Sequence, residues 1–290
     1  MKIVVTGAGG LVGGALATRL ASEHELLALK RGELDVTDGA AVGRRLRAER
    51  PDLIINCAVV GVDTCERDPA LAQAVNERAV AQLAATAAGL GAEFLHFSTN
   101  YVFDGRRDDG AAYTTADAPA PVNVYGRTKL AGERVARTAA PRSFIVRTSW
   151  VFGPGKENFF SAAHRRLRAG TPVHASADAT ASTTYVFDLV ARVWEIVRRG
   201  RYATYHVVNG GGCSRYEFAL AAARCVGLTQ AEATRLIMLG EETDAAGRAP
   251  RPRHTPLRCL VSEGLGLPPL RDWRAALAEY VRLDMARVPG

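Results

Sequence analysis

Seven residues near the start of this 290-residue chain, Gly7-Ala8-Gly9-Gly10-Leu11-Val12-Gly13, constrain its fold more than any other feature. They follow the apolar run Ile3 to Val5 and open an amphipathic pattern from about Leu11 to Ala21, which is the strand, turn and helix context that a dinucleotide fingerprint requires. Gly7 permits a tight turn, Gly10 removes a side chain where backbone must approach a pyrophosphate, and Gly13 lets helix and strand pack closely. The helix N-terminus then presents free N–H groups and a positive dipole end to the anion. Gly7, Gly9, Gly10, Leu11 and Val12 are therefore expected to hold a cofactor.

The pattern that follows alternates short apolar runs with helical periodicity. Strands are predicted at Leu26 to Leu29, Leu53 to Ala58, Phe94 to Ser98 and Ser143 to Thr148. Helices are predicted around Ala40 to Glu49, Pro69 to Gly89 and Val124 to Thr138. Alternation of this kind implies parallel strands joined by crossover helices, an α/β fold with a Rossmann-type doubly wound sheet over residues 1–153. After about Gly153 the pattern becomes a Gly/Pro-punctuated mixture that includes short strands at Pro172 to His174 and Tyr205 to Val208. Residues 154–290 are expected to form most of a smaller C-terminal α/β substrate-binding lobe, interleaved with the first part. The Arg/Pro-rich segment Gly247 to Pro256 reads as a loop.

After the second strand, where a carboxylate would suit the ribose hydroxyls of NAD, the chain carries Lys30 and Arg31. Two cations suit a 2'-phosphate, so NADPH is the expected cofactor, with NADH as the alternative. Glu33 and Asp35 are near enough to neutralise them as a solvated edge, and Asp35 and Val36 are counted with the cofactor residues. Cys57 and Ala58, following Asn56, sit at the sheet's carboxyl edge, where ligands bind in such folds.

Tyr125 and Lys129 lie four residues apart on a predicted helix, so both project from one face. A tyrosine near its ordinary pKa of about 10 is a poor acid–base at neutral pH, and a neighbouring ammonium lowers that value. Lys129 is thus expected to tune Tyr125, with Thr99, at the end of the preceding strand, hydrogen-bonding the same substrate oxygen.

Together with the glycine turn, this trio resembles the short-chain dehydrogenase/reductase superfamily. Three segments, Phe97-Ser98-Thr99-Asn100-Tyr101-Val102-Phe103-Asp104-Gly105, Pro121 to Glu133 and Arg147-Thr148-Ser149-Trp150-Val151-Phe152-Gly153, are similar to the dTDP-4-dehydrorhamnose reductases. Asn158-Phe159, Tyr205 to Val208 and Arg251 to Leu257 echo the same family. The resemblance implies hydride delivery to C4 of a nucleotide-linked deoxysugar, with Tyr125 protonating the alkoxide and Lys129 also holding the nicotinamide ribose. It places Asn100, Tyr101, Trp150, Phe152 and Asn158 beside the sugar and Arg251 or Arg253 near the nucleotide diphosphate. Two departures stand out. Asn100 replaces the usual acidic residue, and the loop Asp178 to Thr184 carries Thr180 and Ser182 in place of Gly and Pro. An extended-family epimerase and a non-catalytic regulatory subunit, like the partner of methionine adenosyltransferase, remain the alternatives.

Composition excludes other classes. The net charge of +7 comes from scattered residues, four lysines and otherwise arginines among 37 basic side chains, with no basic run of the kind nucleic acid calls for. Cys57, Cys65, Cys213, Cys225 and Cys259 are odd in number and widely spread, which reads as reduced thiols in a cytoplasm and leaves no metal-ligand spacing. No targeting pattern or membrane span is evident, and a homodimer is allowed.

Overall fold

The computed structural model describes residues 1–240 and 248–287. In chain order the first elements are β1 (Lys2–Thr6), α1 (Leu11–Leu20), β2 (Glu25–Leu29), α2 (Gly39–Glu49), β3 (Leu53–Asn56) and α3 (Val62–Arg67). A long helix follows in three pieces, α4 (Pro69–Gln73), a π-helical turn (Ala74–Arg78) and α5 (Ala79–Leu90). Then come β4 (Glu93–Thr99), a 3-10 turn (Asn100–Val102), α6 (Val124–Ala139), β5 (Ser143–Thr148), β6 (Val151–Phe152) and α7 (Phe159–Arg168). The rest comprises β7 (Val173–Ala175), β8 (Thr180–Ala181), β9 (Thr184–Tyr185), α8 (Val186–Arg199), β10 (Thr204–His206), α9 (Arg215–Cys225) and α10 (Gln230–Leu236). It closes with β11 (Ile237–Leu239), β12 (His254–Thr255), α11 (Leu260–Gly264) and α12 (Trp273–Arg287).

Six strands form one sheet in the order β10-β5-β4-β3-β1-β2, with every neighbouring pair parallel. The order reverses between β1 and β3, the kind of switch point at which doubly wound sheets bind ligands. Successive side chains of a strand point to opposite faces, and β1 shows the consequence. Ile3 and Val5 pack into a core with Leu16, Leu20 and Val193, on the face of α1 and α8. Val4 packs with Leu46, Ile54 and Leu83, on the face of α2 and α5. A third core, rich in aromatics, gathers Phe152, Phe160, Tyr185, Phe218, Trp273 and Tyr280.

Helix ends follow local chemistry. Asp38 caps α2 by accepting from Ala41 N at 2.9 Å, and Asn123 caps α6 by accepting from Gly126 N at 2.7 Å. Ser214 with Glu217 and Thr229 with Glu232 form capping boxes on α9 and α10. Among the described residues no helix is long and apolar enough to cross a membrane.

Three expectations are corrected here. The strand predicted at Tyr205 to Val208 belongs to the main sheet, where β10 pairs with β5, because its alternating core residues Tyr205 and Val207 fill the same core as β5. Segment 178–184 holds β8 and the start of β9, and β8 pairs with β12. The segment read as a loop from Gly247 to Pro256 therefore contains a strand, and Gly247 lies outside the described residues.

Candidate active site

Two clefts open at the carboxyl edge of the sheet. The first, about 350 Å³, is lined by Gly7, Gly9 and Gly10 and, across from them, by Arg31, Asp35, Val36, Cys57 and Ala58. Gly7 has φ +70°, and a Cβ there would lie 2.6 Å from Ala58 N, so only glycine fits both the conformation and the space. A Cβ on Gly13 would lie 2.5 Å from Gly7 O, so helix α1 rests directly on the turn. This is a backbone cradle closed to side chains, with helix N–H groups at its base, and it fits a dinucleotide.

Not every residue expected in this cleft is there. The side chains of Leu11 and Val12 pack against the core, so what these residues offer the cleft is the backbone N–H groups of the first turn of α1. Lys30 lies outside the lining, its Cγ 3.7 Å from where a Gly9 Cβ would be. Arg31 remains, its side chain 82% exposed and 3.8 Å from Asp35. Burial pushes the Cys57 thiol up to about 12, so it is an inert wall. Lys156, from the segment between β6 and α7, lines the cleft as well and was not found from sequence, because only the packing of that segment across α1 brings it there.

The second cleft, about 300 Å³, is lined by Thr99, Asn100, Tyr101, Tyr125, Trp150, Arg215 and Arg251, with Ser149 and Val62 at its edges. Thr99 ends β4 and Tyr125 stands on the first turn of α6. The phenol and the Thr99 hydroxyl line this cleft together. Helix α6 sits close because position 126 is glycine: a Cβ there would lie 2.1 Å from Tyr101 O. Tyr101 meets the Tyr125 ring edge-on, centroids 5.9 Å apart. Burial pushes the Tyr125 phenol up to about 12, and the neighbouring Thr99 hydroxyl acts in the opposite sense.

The expected tuning of Tyr125 by Lys129 is corrected. Both do lie on one helix face, but the fully packed Lys129 ammonium turns toward the sheet, donating to Phe97 O at 2.5 Å and approaching His96 Nε2 at 3.2 Å. Burial lowers Lys129 to about 8, while Glu133 and two cysteines act the other way. His96 in turn meets Asn56 Nδ2 at 3.2 Å, and burial holds its imidazole well below its ordinary value.

Asn100 occupies the position where an acid was expected and makes use of its amide. It donates to Thr255 Oγ1 at 2.7 Å and accepts from Thr99 Oγ1 at 3.2 Å, so it ties β4 to β12. A carboxylate has no proton for that donation. Trp150 stacks on Phe160 at 4.9 Å with φ +37°, a rare conformation for a bulky residue and one that sets its ring against the cleft. Two assignments are corrected. Phe152 is 0% exposed inside the aromatic core: on β6 it points opposite to Val151, which lines the cleft, and the positive φ at Trp150 breaks the alternation that would otherwise put both rings on one face. Asn158 caps α7, accepting from Ser161 N at 3.0 Å and donating to Val151 O at 2.9 Å, so its side chain is committed to structure.

Arg251 places one guanidinium nitrogen 2.8 Å from both Asp63 oxygens, while its buried Nη1 has no hydrogen-bond partner among the described residues. Arg253 lies instead in an adjoining cavity of about 530 Å³ with Arg106, Arg107 and His254, which Arg251 also borders. Arg215, 5.8 Å over the Trp150 ring, was not found from sequence, because it opens a helix with no motif around it. Behind both clefts Glu133 on α6 accepts from Ser98 at 2.5 Å and from Arg147 at 2.8 and 2.7 Å, a buried link between α6, β4 and β5. Among the described residues no group of three His, Cys, Asp or Glu side chains is placed to hold a metal ion.

The family model described as the RmlD substrate binding domain matches residues 1–285. The chain belongs to that family. Within the family it is 42% identical to the dTDP-4-dehydrorhamnose reductase of Mycolicibacterium smegmatis, over 97% of this chain and 85% of the relative. It is 32% identical to the dTDP-4-keto-6-deoxy-D-glucose reductase of Streptomyces niveus, over 95% of each. The crystal structure of dTDP-4-dehydrorhamnose reductase from Bacillus anthracis in complex with NADP superposes with a TM-score of 0.90 at 29% identity, covering 98% of this chain and 100% of that one.

Proposed function

We propose that this chain uses NADPH to reduce the 4-keto group of a dTDP-linked 4-keto-6-deoxysugar, in deoxysugar biosynthesis. The observation that carries the reading is the Thr99–Tyr125 pair lining one cleft beside the glycine cradle. Gly7, Gly9, Gly10 and the start of α1 hold the pyrophosphate, and Arg31, with Lys30 at the rim, meets the 2'-phosphate. When bound, NADPH supplies the hydride that C4 accepts.

The remaining chemistry belongs to side chains. Tyr125, held protonated because burial disfavours its phenolate, gives its proton to the alkoxide oxygen at C4. The Thr99 hydroxyl stabilises the phenolate left behind and orients the sugar oxygen. Lys129, about one helical turn beyond Tyr125 on α6, donates to Phe97 O, and in this reading a remaining N–H of its ammonium serves the nicotinamide ribose. Asn100, Tyr101 and Trp150 wall the sugar. Arg251, with an unmatched buried Nη1, faces the diphosphate, and Arg253 extends the cationic path into the adjoining cavity.

The test is NADPH consumption by the purified protein offered a panel of dTDP-4-keto-6-deoxysugars, with products assigned by NMR. Turnover of one or more with reduction at C4 is expected. No consumption across the panel, or release of a C4 epimer with no net oxidation of cofactor, would sink the reading.

A further inference from the structure

Lys156 belongs to none of the motifs that carry the proposed chemistry, yet it lines the glycine cleft beside Gly7, Gly9 and Gly10. Its segment, between β6 and α7, is shaped by Gly153 at φ +146° and Gly155 at φ +117°, conformations that L side chains rarely adopt. A Cβ on Gly153 would lie 2.5 Å from Val186 Cγ1, so close packing on the start of α8 fixes where the segment leaves the aromatic core. A Cβ on Gly155 would lie 3.6 Å from Leu11 Cδ1, so the backbone passes over the first turn of α1. The segment thereby carries a cation to the helix end whose unpaired N–H groups favour an anion. Glu157 beside it is engaged by Arg165 at 2.9 Å, and among the described residues Lys156 itself makes no ion pair.

Resting on the reading of this cleft as a dinucleotide site, we propose that Lys156 reaches over the cofactor from the side opposite the glycine turn and pairs with its pyrophosphate. The glycine turn supplies only N–H donors at that point, and Arg31 stands at the β2 rim of the cleft, where the ribose is read. Lys156 adds a full positive charge to a doubly anionic group. Because the segment continues directly from Trp150 and Val151, which wall the other cleft, the same residue ties cofactor capture to the sugar side.

The pyrophosphate is common to NADPH and NADH, while the 2'-phosphate belongs to NADPH alone, and that difference separates the two cations. Dissociation constants for both cofactors are measured by fluorescence titration on the native protein and on K156A, K156R and R31A. K156A should weaken NADPH and NADH by the same factor, about tenfold at low ionic strength for one exposed charge-assisted contact, and the loss should shrink in high salt. K156R should restore most of the affinity, and R31A should weaken NADPH selectively. Unchanged dissociation constants in K156A would overturn the proposal, and so would a loss confined to NADPH, which moves Lys156 to the 2'-phosphate. Failure of the native protein to bind either dinucleotide would instead overturn the cofactor reading, and the role of Lys156 with it.

Discussion

The glycine cleft and the tyrosine cleft share one edge of one sheet but are built on opposite plans. At the base of the glycine cleft the wall is backbone: Gly7 to Gly10 close on Ala58, and a Cβ at Gly7 would sit 2.6 Å from its nitrogen, while side chains such as Arg31 and Lys156 line the rest. The tyrosine cleft is made of side chains from distant segments, with Thr99, Tyr125, Trp150, Arg215 and Arg251 converging from five separate stretches. A backbone cradle binds through groups every residue has, so it tolerates change at its rim and none where a Cβ would strike backbone, at Gly7 and Gly13. A side-chain cleft depends on a few particular atoms and on the packing that brings them together.

The largest expected effect tests the tyrosine cleft. Tyr125→Phe keeps the ring against Tyr101 but removes the proton, so turnover of a 4-keto sugar should fall by about 10²- to 10⁴-fold while NADPH affinity holds. Near-native turnover in the folded variant would mean that the proton comes from elsewhere and that the two clefts do not divide the work in this way.

Next comes the buried link behind that cleft. Glu133 and Arg147 are 0% and 4% exposed at their side chains, so Glu133→Gln leaves a buried guanidinium without its counter-charge, at a cost of about 3–5 kcal/mol. Tm should drop by about 10 °C, read by calorimetry, whereas Arg31→Ala at the exposed rim should leave it unchanged. Equal Tm values for the two variants would erase the contrast between the clefts.

The pH dependence sharpens it further. Lys129 is lowered by burial from 10.5 to about 8, so its charge disappears as pH rises through 8. If the charge serves the cofactor ribose, kcat/KM should fall by about tenfold per pH unit above 8. Lys129→Arg, which does not titrate in this range, should remove that limb at a lower plateau. Stability should move the other way. Between pH 8 and 10.5 the unfolded chain binds the proton that the folded lysine has lost, so this group makes unfolding harder as pH rises through that window. His96, Cys57, Cys65 and Glu133 are the titratable neighbours facing Lys129, and with His96 held neutral and both thiols pushed up by burial neither the imidazole nor the thiols mimic a limb near 8.

The smallest expected effect is at the rim of the glycine cleft. Arg31→Ala should lower the preference for NADPH over NADH in kcat/KM by about tenfold, one charge-assisted phosphate contact. A native protein that uses both cofactors equally would remove Arg31 from the 2'-phosphate.

Much of this plan is written in local sequence. The turn Gly7 to Gly13, the strands on either side of it, the Tyr125–Lys129 spacing and the Asn123 cap each depend on residues within a turn or two of one another, so periodicity and residue type reveal them. What local order does not carry is direction. Phe152 and Trp150 stand two residues apart in one motif, and only the fold, with its positive φ at Trp150 ahead of β6, decides that one fills the core while the other faces the cleft. Lys129 shares a helix face with Tyr125, yet burial against β4 turns its amine to Phe97 and His96.

The sequence by itself determined the strand, turn and helix that make the glycine cradle, the doubly wound sheet of the first half, and the placing of Tyr125 and Lys129 on one helix, because each is encoded by neighbours along the chain. Tertiary structure alone decided that Thr204–His206 joins the main sheet, that Asn100 spans 155 residues to hold Thr255, and that Arg215 and Lys156 reach the clefts. Those outcomes depend on which buried surfaces meet across long chain separations. That is settled by the summed burial of the whole core, and no single stretch of residues records it.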